Sequence, residues 1–361
     1  MPKLRPIVRI KSLMVIGLLT IGYGTYGEKT RLHTEIETLH KKRREAFMSN
    51  VVSQKLSFIR QPEIQSLLRE GAGLNAPAGD ERVKAIVHQL LENICGLIEE
   101  YNISEEEFWH GVNYLHELGG QKEAALLAAG LGLEHFLDLR QEAIDAASHG
   151  VEGTPRTIEG PLYVANSPLS EGFARMDDGR DRGEVMWLHG QVNNTQGEPI
   201  ANAIVDIWHA NTLGNYSFFD KSQSEYNLRR RIRTGADGRY SVRSIVPSGY
   251  GCPPEGPTQK LLNLLGRHGN RPAHIHFFVS APGYRHLTSQ INLSGDKYLW
   301  DDFAFATRKG LIADPLKVTD RSLIEARGLE GEHTEVRFDF TLPAALSADE
   351  EQRINRPRVG E

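Results

Sequence analysis

The hydrophobic period of this chain changes at Gly153-Thr154-Pro155. Before that tripeptide, apolar residues recur every three or four positions. After it they alternate in short runs separated by turn residues. These are the periods of a helix and a strand, so the chain must build a helical segment first and a strand-rich one second. Upstream, Glu81 to Tyr101 sets Val83, Ile86, Val87, Leu90, Leu91, Ile94, Leu97 and Ile98 on one stripe. Ser104 and Glu107 then read as a capping box for a helix through Val112 and Leu115 to Gly119-Gly120. A third helical run, Glu123 to about Ser148, breaks at Gly130-Leu131-Gly132. Downstream, Val185–Val192, Ala203–Trp208, Ile275–Val279 and Val336–Phe340 read as strands, and Ala236-Asp237-Gly238 as a hairpin turn between two more. Short strands with few long helices predict a β-sandwich or barrel. The expected fold is α+β: a helical domain over 48–152, a mostly antiparallel β-sandwich over 153–345, and a charged C-terminal tail over 346–361.

Composition narrows the function classes. A 361-residue chain with 39% hydrophobic and 25% charged residues is an ordinary globular protein. A net charge of −5 with a pI near 6.3 gives nucleic acid no basis for binding. Two cysteines, Cys95 and Cys252, do not make a disulfide framework and fit a reducing cytoplasm. The first 47 residues stand apart, with ten basic and four acidic side chains. Among them the uncharged run Ser12–Gly27, behind Lys3, Arg5, Arg9 and Lys11, resembles the start of a signal peptide. It is shorter than the ~20 apolar residues of a spanning helix, and no clear cleavage site follows it. Purine-rich codons for Arg43-Arg44-Glu45 ahead of Met48 suit a ribosome-binding site. The expectation is therefore that residues 1–47 are an extension, untranslated or disordered, and that the protein starts at Met48.

The segment with chemistry in it is Arg271-Pro-Ala-His274-Ile-His276-Phe277-Phe-Val279. Side chains at i and i+2 of a strand leave on one face, so both imidazoles point into one space, as two ligands of one metal would. Taken alone, a His-x-His pair is more often just half-buried. Two tyrosines occupy unusual loops past strands: Tyr216 in Asn211-Thr-Leu-Gly-Asn-Tyr216, and Tyr250 in Gly249-Tyr-Gly-Cys-Pro-Pro254. By spacing alone they read as packing or surface residues.

From about Gln54 to Pro357 the chain resembles the intradiol ring-cleavage dioxygenases. The resemblance rests on Thr154-Pro-Arg-Thr-Ile-Glu-Gly-Pro-Leu-Tyr163, Asp206-Ile-Trp-His-Ala-Asn-Thr212, Gly249–Pro254, Gly266-Arg-His-Gly-Asn-Arg-Pro-Ala-His-Ile-His276 and Asp301-Asp-Phe-Ala304. It implies one non-haem Fe(III) per chain, held by Tyr216, Tyr250, His274 and His276, with Tyr163 beside the pocket and not a ligand. Fe(III) is a hard cation that favours anionic oxygen donors, and a bound cation can strip a phenol of its proton. A ferrous oxygenase would instead show two histidines and a carboxylate, and no Asp or Glu accompanies this pair on its strand.

The resemblance also implies that a catechol-type diol and O2 are the substrates and a cis,cis-muconate the product. Tyr250 would leave the metal and act as a base, its glycine neighbours giving it room. Arg271 would stabilise negative charge on the ring, or form a structural ion pair. Gln290 would hydrogen-bond the substrate. A flat apolar pocket is expected from Leu126, Ala129, Ile158, Pro161, Leu162, Phe303 and Ala304, each of which could equally be plain core. The long helical segment fits the catechol branch better than the sister branches acting on hydroxyquinol or chlorocatechols. A reading from another class is a transthyretin-like sandwich that binds a ligand or metal without chemistry. The resemblance further implies a homodimer through the helical domain and leaves room for a lipid at that interface.

Overall fold

The computed structural model describes residues 58–150 and 153–352. The extension over 1–47, and with it the reading of Met48 as the start, lies outside these residues, as does the tail beyond 352. Within them the chain falls into two compact units, one running to Gly111 and one from Val112 onward.

The first unit is helical. Helix α1 is Pro62–Gly71, with proline in its first turn, where no amide donor is needed. Helix α2 is Glu81–Glu100, capped by the Asp80 carboxylate accepting from Val83 N at 3.0 Å. Helix α3, Glu105–Gly120, begins here and carries the boundary between the units. Its capping box is formed as expected: Glu107 N donates to Ser104 Oγ at 3.2 Å, and Ser104 N to Glu107 Oε2 at 2.9 Å. The α2 stripe leaves Val83, Ile86, Leu90, Ile94 and Leu97 exposed on the single chain.

The second unit continues with helices α4, Ala124–Gly130, and α5, Leu133–His149, separated at Gly132 with φ +76°. Fourteen strands follow among the described residues. The first sheet runs β1 (Leu169–Glu171), β5 (Arg229–Arg233), β4 (Ile204–His209), β9 (His274–Ser280), β10 (Leu287–Leu293) and β11 (Ile312–Ala313). The second runs β12 (Leu316–Val318), β13 (His333–Arg337), β3 (Val185–Asn194), β6 (Arg239–Ile245) and β2 (Phe173–Arg175), with β14 (Phe340–Leu342) also on β3. The long ladders β3/β6, β4/β9 and β9/β10 are antiparallel, with shorter parallel pairings at β1, β2, β11, β13 and β14. A two-stranded ribbon joins β7 (Tyr250–Gly251) to β8 (Asn270–Arg271). Helix α6 is Pro257–Leu264 and α7 is Arg321–Ala326.

One core lies between the sheets, with Val205, Ile207, Ile275, Phe277 and Val279 from the first packed with Met186, Leu188, Val242, Val336 and Phe340 from the second. Ala236-Asp237-Gly238 is not a hairpin turn. Its flanking strands β5 and β6 belong to different sheets, so it is an arch between the layers. Gly238 there has φ +68°, and a Cβ would stand 2.6 Å from the Val192 carbonyl, a demand on backbone that a hairpin glycine imitates in sequence. A second tight crossing occurs between β13 and β14, where the carbonyl of Phe338 passes so close to Gly190 on β3 that no Cβ could fit.

Candidate metal centre

Strand alternation creates the site. On β9 the odd residues Ile275, Phe277 and Val279 face the core, which sends His274, His276 and Phe278 to the other face of the same sheet. Neighbouring strands add their own outward residues in register. Trp208 on β4 lies opposite His276, with Gln290 on β10 opposite its other side, and Asn292 lies opposite His274. The first six residues of β9 are all buried, so this face is covered as well as the core face. The cover includes the loop after β4, which brings Tyr216, and the β7/β8 ribbon, in which Tyr250 pairs directly with Arg271.

The four candidate donors converge. His274 and His276 approach Nε2 to Nε2 at 3.1 Å, and Tyr216 Oη lies 3.4 Å from His274 Nε2. The Tyr250 ring centroid lies 5.4 Å from that of His274 and 5.6 Å from that of Tyr216. His274 Nδ1 is 2.7 Å from the Pro272 carbonyl. A carbonyl only accepts, so Nδ1 carries the proton and Nε2 presents its lone pair. His276 is stacked on the Trp208 indole, centroids 5.0 Å apart and planes 4° from parallel. Tyr163 braces that indole edge-on and gives its hydroxyl to Asp206 at 2.8 Å, which keeps it away from the donors.

Electrostatics prepare these groups for a cation. Burial, then the Arg271 charge, pushes His274 down to about 3, and burial with His274 beside it holds His276 well below the usual imidazole range. Both imidazoles are therefore neutral at any ordinary pH. Burial, then Tyr250, pushes Tyr216 well above the usual phenol range, so its phenolate needs a cation beside it. Two phenol oxygens and two neutral imidazoles suit a hard, oxygen-preferring ion such as Fe(III). Two nitrogens 3.1 Å apart also suit neighbouring bonds of about 2.1 Å to one first-row ion. Among the described residues no cluster of three or more His, Cys, Asp or Glu offers a rival metal site.

Arg271, 3% exposed, is the hub of the surrounding network. It holds Asp302 through Nε to Oδ1 at 3.2 Å and Nη2 to Oδ2 at 3.1 Å, and donates to Gln290 Oε1 at 2.8 Å, His274 Nε2 at 3.0 Å and Tyr250 Oη at 3.4 Å. Burial alone would depress this guanidinium, but Asp302 and the two tyrosines raise it above its usual value. Gln290 also donates to Asn292 Oδ1 at 3.1 Å, so its amide orients Arg271. The glycines flanking Tyr250 serve close approach and not freedom: a Cβ on Gly249 would lie 2.4 Å from the Arg271 carbonyl, and one on Gly251 3.0 Å from Asn270 Oδ1.

The expected wall is brought together in part. Leu126, Ala129, Ile158, Phe303 and Ala304 share one apolar cluster with Cys252, Leu262 and Ala306. Leu162 packs with Tyr216, Tyr250 and Trp208 instead, and half-buried Pro161 joins neither cluster. A cavity of about 440 Å³ lies elsewhere, lined by Leu139, Arg156, Arg285, Leu287, Arg308 and Leu342 among others, and includes none of the donors. The sequence reading missed Asp302, Trp208, Asn292 and Arg229. Two of these, Trp208 and Asp302, lie inside motifs already singled out.

Two sequence families match the chain, Catechol dioxygenase N terminus over 80–149 and Dioxygenase over 158–344. The catechol 1,2-dioxygenase of Acinetobacter baylyi is 52% identical over 300 residues, 82% of this chain and 96% of that protein. The crystal structure of catechol 1,2-dioxygenase from Pseudomonas arvilla C-1 superposes with a TM-score of 0.81 at 58% identity, over 84% of this chain and 99% of that one. A hydroxyquinol 1,2-dioxygenase from a Rhizobium strain is more distant, 33% identical over 272 residues, 73% of this chain and 90% of that protein.

Proposed function

The chain belongs to the intradiol ring-cleavage dioxygenases, and on that premise we propose that it opens the ring of catechol with O2, between the two hydroxylated carbons, to give cis,cis-muconate at one ferric ion per chain. The observation that carries this reading is the convergence of Tyr216, Tyr250, His274 and His276 beside Arg271. Those four side chains would hold the iron. Bound there, Fe(III) supplies the Lewis acidity that favours a doubly deprotonated diol and accepts electron density from its ring.

The protein's own groups do the rest. His274 and His276 stay neutral and bring no charge of their own. Tyr250, ionised to a phenolate when the metal is bound, would take up a proton at Oη from a substrate hydroxyl as general base and become a neutral phenol. It is the less buried of the two tyrosines, and it stands 3.4 Å from Arg271 Nη1. Arg271 is a planar, permanent cation that stabilises negative charge developing on the ring. Asp302 and Gln290 fix its plane. The cluster around Ala129, Ile158, Phe303 and Ala304 supplies apolar surface for an aromatic ring and excludes water. The greater identity to catechol enzymes than to the hydroxyquinol enzyme supports catechol as the diol.

We infer further that the protein is a cytoplasmic homodimer. The apolar stripe of α2, with Val83 and Ile86 more than half exposed, supports a second copy as its cover, and a lipid could share that interface. Among the described residues no helix is long and apolar enough to cross a membrane.

The test is metal analysis and O2 uptake on catechol with purified protein. About one iron per chain, a visible tyrosinate-to-iron absorption and muconate as product are expected. His274→Ala and His276→Ala should each lose iron and activity together. A colourless protein holding stoichiometric zinc, or one that binds iron and consumes no O2, would overturn the reading.

A further inference from the structure

Arg229 sits on β5 opposite Trp208 and is 1% exposed. Its hydrogen bonds go to neutral oxygens only: Nε to Ser217 Oγ at 3.0 Å and Nη2 to the Ser217 carbonyl at 3.1 Å. Its Nη1 has no hydrogen-bond partner. The guanidinium carbon stands 5.7 Å from the centroid of the Tyr216 ring. Of the groups whose charge acts on it, Tyr216 leads and Asp206 follows. The Asp206 carboxylate is already engaged by Tyr163 Oη at 2.8 Å and Ser167 Oγ at 3.3 Å.

A guanidinium cannot shed its charge in a protein, and an uncompensated buried cation is costly. A fold that keeps one has an anion to set beside it. A neutral phenol is not that anion, whereas a metal-bound phenolate is. The contrast with Arg271 sharpens the point. Arg271 lies 6.0 Å from the Tyr250 ring, but its charge is balanced by two hydrogen bonds to Asp302. The two tyrosines thus have different arginines, one paired with a carboxylate and one not.

We propose that Arg229 is the fixed counter-charge of the Tyr216 phenolate, drawing electron density from this one donor and so setting how strongly it donates to the iron, while its bonds to Ser217 hold the Tyr216 loop in place. The proposal rests on the ferric reading above. It makes Arg229 a positioning residue with an electronic effect, since its hydrogen bonds go to Ser217 and to none of the four candidate donors.

The experiment compares wild type with Arg229→Met, Arg229→Gln, Arg229→Lys and Ser217→Ala, each as iron-loaded and metal-free protein. In Arg229→Met, loss of the cation should move the phenolate-to-iron absorption to longer wavelength and the ferric/ferrous potential to lower values. Arg229→Lys keeps the charge and should stay nearer to wild type. Ser217→Ala removes a hydrogen bond but no charge, and should leave the absorption in place. Arg229→Met should lower the melting temperature less in metal-free than in iron-loaded protein, because only the loaded form sets a phenolate beside the cation while the bonds to Ser217 are lost in both. An unmoved absorption in iron-replete Arg229→Met overturns the proposal. So does an equal fall in melting temperature with and without iron, or a failure of both Arg229→Met and Arg229→Gln to fold, each of which would make the residue a plain anchor for Ser217. A wild type that takes up no iron would instead bring down the ferric reading, and this proposal with it.

Discussion

Arg271 and Asp302 form a buried two-point ion pair, Nε to Oδ1 at 3.2 Å and Nη2 to Oδ2 at 3.1 Å, with side chains 3% and 1% exposed. Asp302 Oδ1 also accepts from the backbone of Ala304 at 3.0 Å, which fixes the carboxylate. The pair therefore fixes the guanidinium so that its Nη1 faces Tyr250 Oη and His274 Nε2. Asp302→Asn keeps the shape and removes the charge. It should retain its iron and its KM while kcat falls about 100-fold, the scale of losing one preorganised electrostatic contact. Asp302→Asn and Asp302→Ala both strand a buried cation, and each should destabilise the fold by about 3–5 kcal/mol. Oxygen uptake and thermal melts measure both, and an unchanged kcat in Asp302→Asn would show that Arg271 needs no aiming.

Gly190 provides a test of the sandwich itself. The Phe338 carbonyl, where the chain passes from β13 to β14, occupies the place of a Gly190 side chain, and the Tyr240 hydroxyl donates to that same carbonyl at 2.7 Å. Gly190→Ala must push β3 from the crossing segment, at a cost of about 3 kcal/mol or more. Denaturant unfolding should show this as a lowered midpoint with iron chemistry intact in the folded fraction. Wild-type stability in this variant would mean the two strands separate easily there.

The sequence made some of this legible and not the rest, for identifiable reasons. The helices were readable because their stripes and caps are local: Ser104 with Glu107, and the break at Gly132. The His274/His276 face was readable because strand alternation is also local. The arch at Gly238 was not, since a left-handed glycine between two strands looks the same whether the strands pair or part to different sheets. Tyr216 and Tyr250 looked like packing residues until the family resemblance singled them out, because their approach to the histidines depends on loops far apart in the chain. Asp302 bonds Arg271 across 31 positions and Arg229 bonds Ser217 across 12, and no spacing rule flags such pairs.

His209 should make the fold sensitive to acid. It is fully buried, gives Nδ1–H to the Ala210 carbonyl at 2.7 Å and accepts from Ser244 Oγ at 2.8 Å. Burial chiefly, with Arg229 adding to it, pushes it down to about 4 despite the opposing Ala210 carbonyl and the charges of Asp177 and Asp181. Unfolded, an imidazole titrates near 6.5. Between about 6.5 and 4 the unfolded chain therefore binds a proton that the folded chain does not, so stability falls as pH falls through that window. The full effect is about 3 kcal/mol by pH 4. Unfolding free energies of metal-free protein at several pH values should show a steeper slope for wild type than for His209→Gln. Parallel slopes would exclude His209 as the acid-sensitive group.

The apolar wall should govern which diols are accepted. Ala129, 2% exposed, packs in one cluster with Ile158, Phe303 and Ala304. With this cluster as the proposed wall, a small side chain there would leave tolerance at the ring's edge, so 4-methylcatechol should be turned over readily, with large 3-substituents disfavoured. Ala129→Leu adds volume to that wall without touching any donor. It should lower kcat/KM for 4-methylcatechol relative to catechol by roughly 10- to 200-fold, the range in which an apolar pocket distinguishes one small group. Iron content and the visible absorption should stay as in wild type. Equal losses on both substrates would mean that Ala129 is only core. A wild-type preference of tenfold or more for hydroxyquinol or a chlorocatechol would keep the iron site and move the substrate assignment to a sister branch.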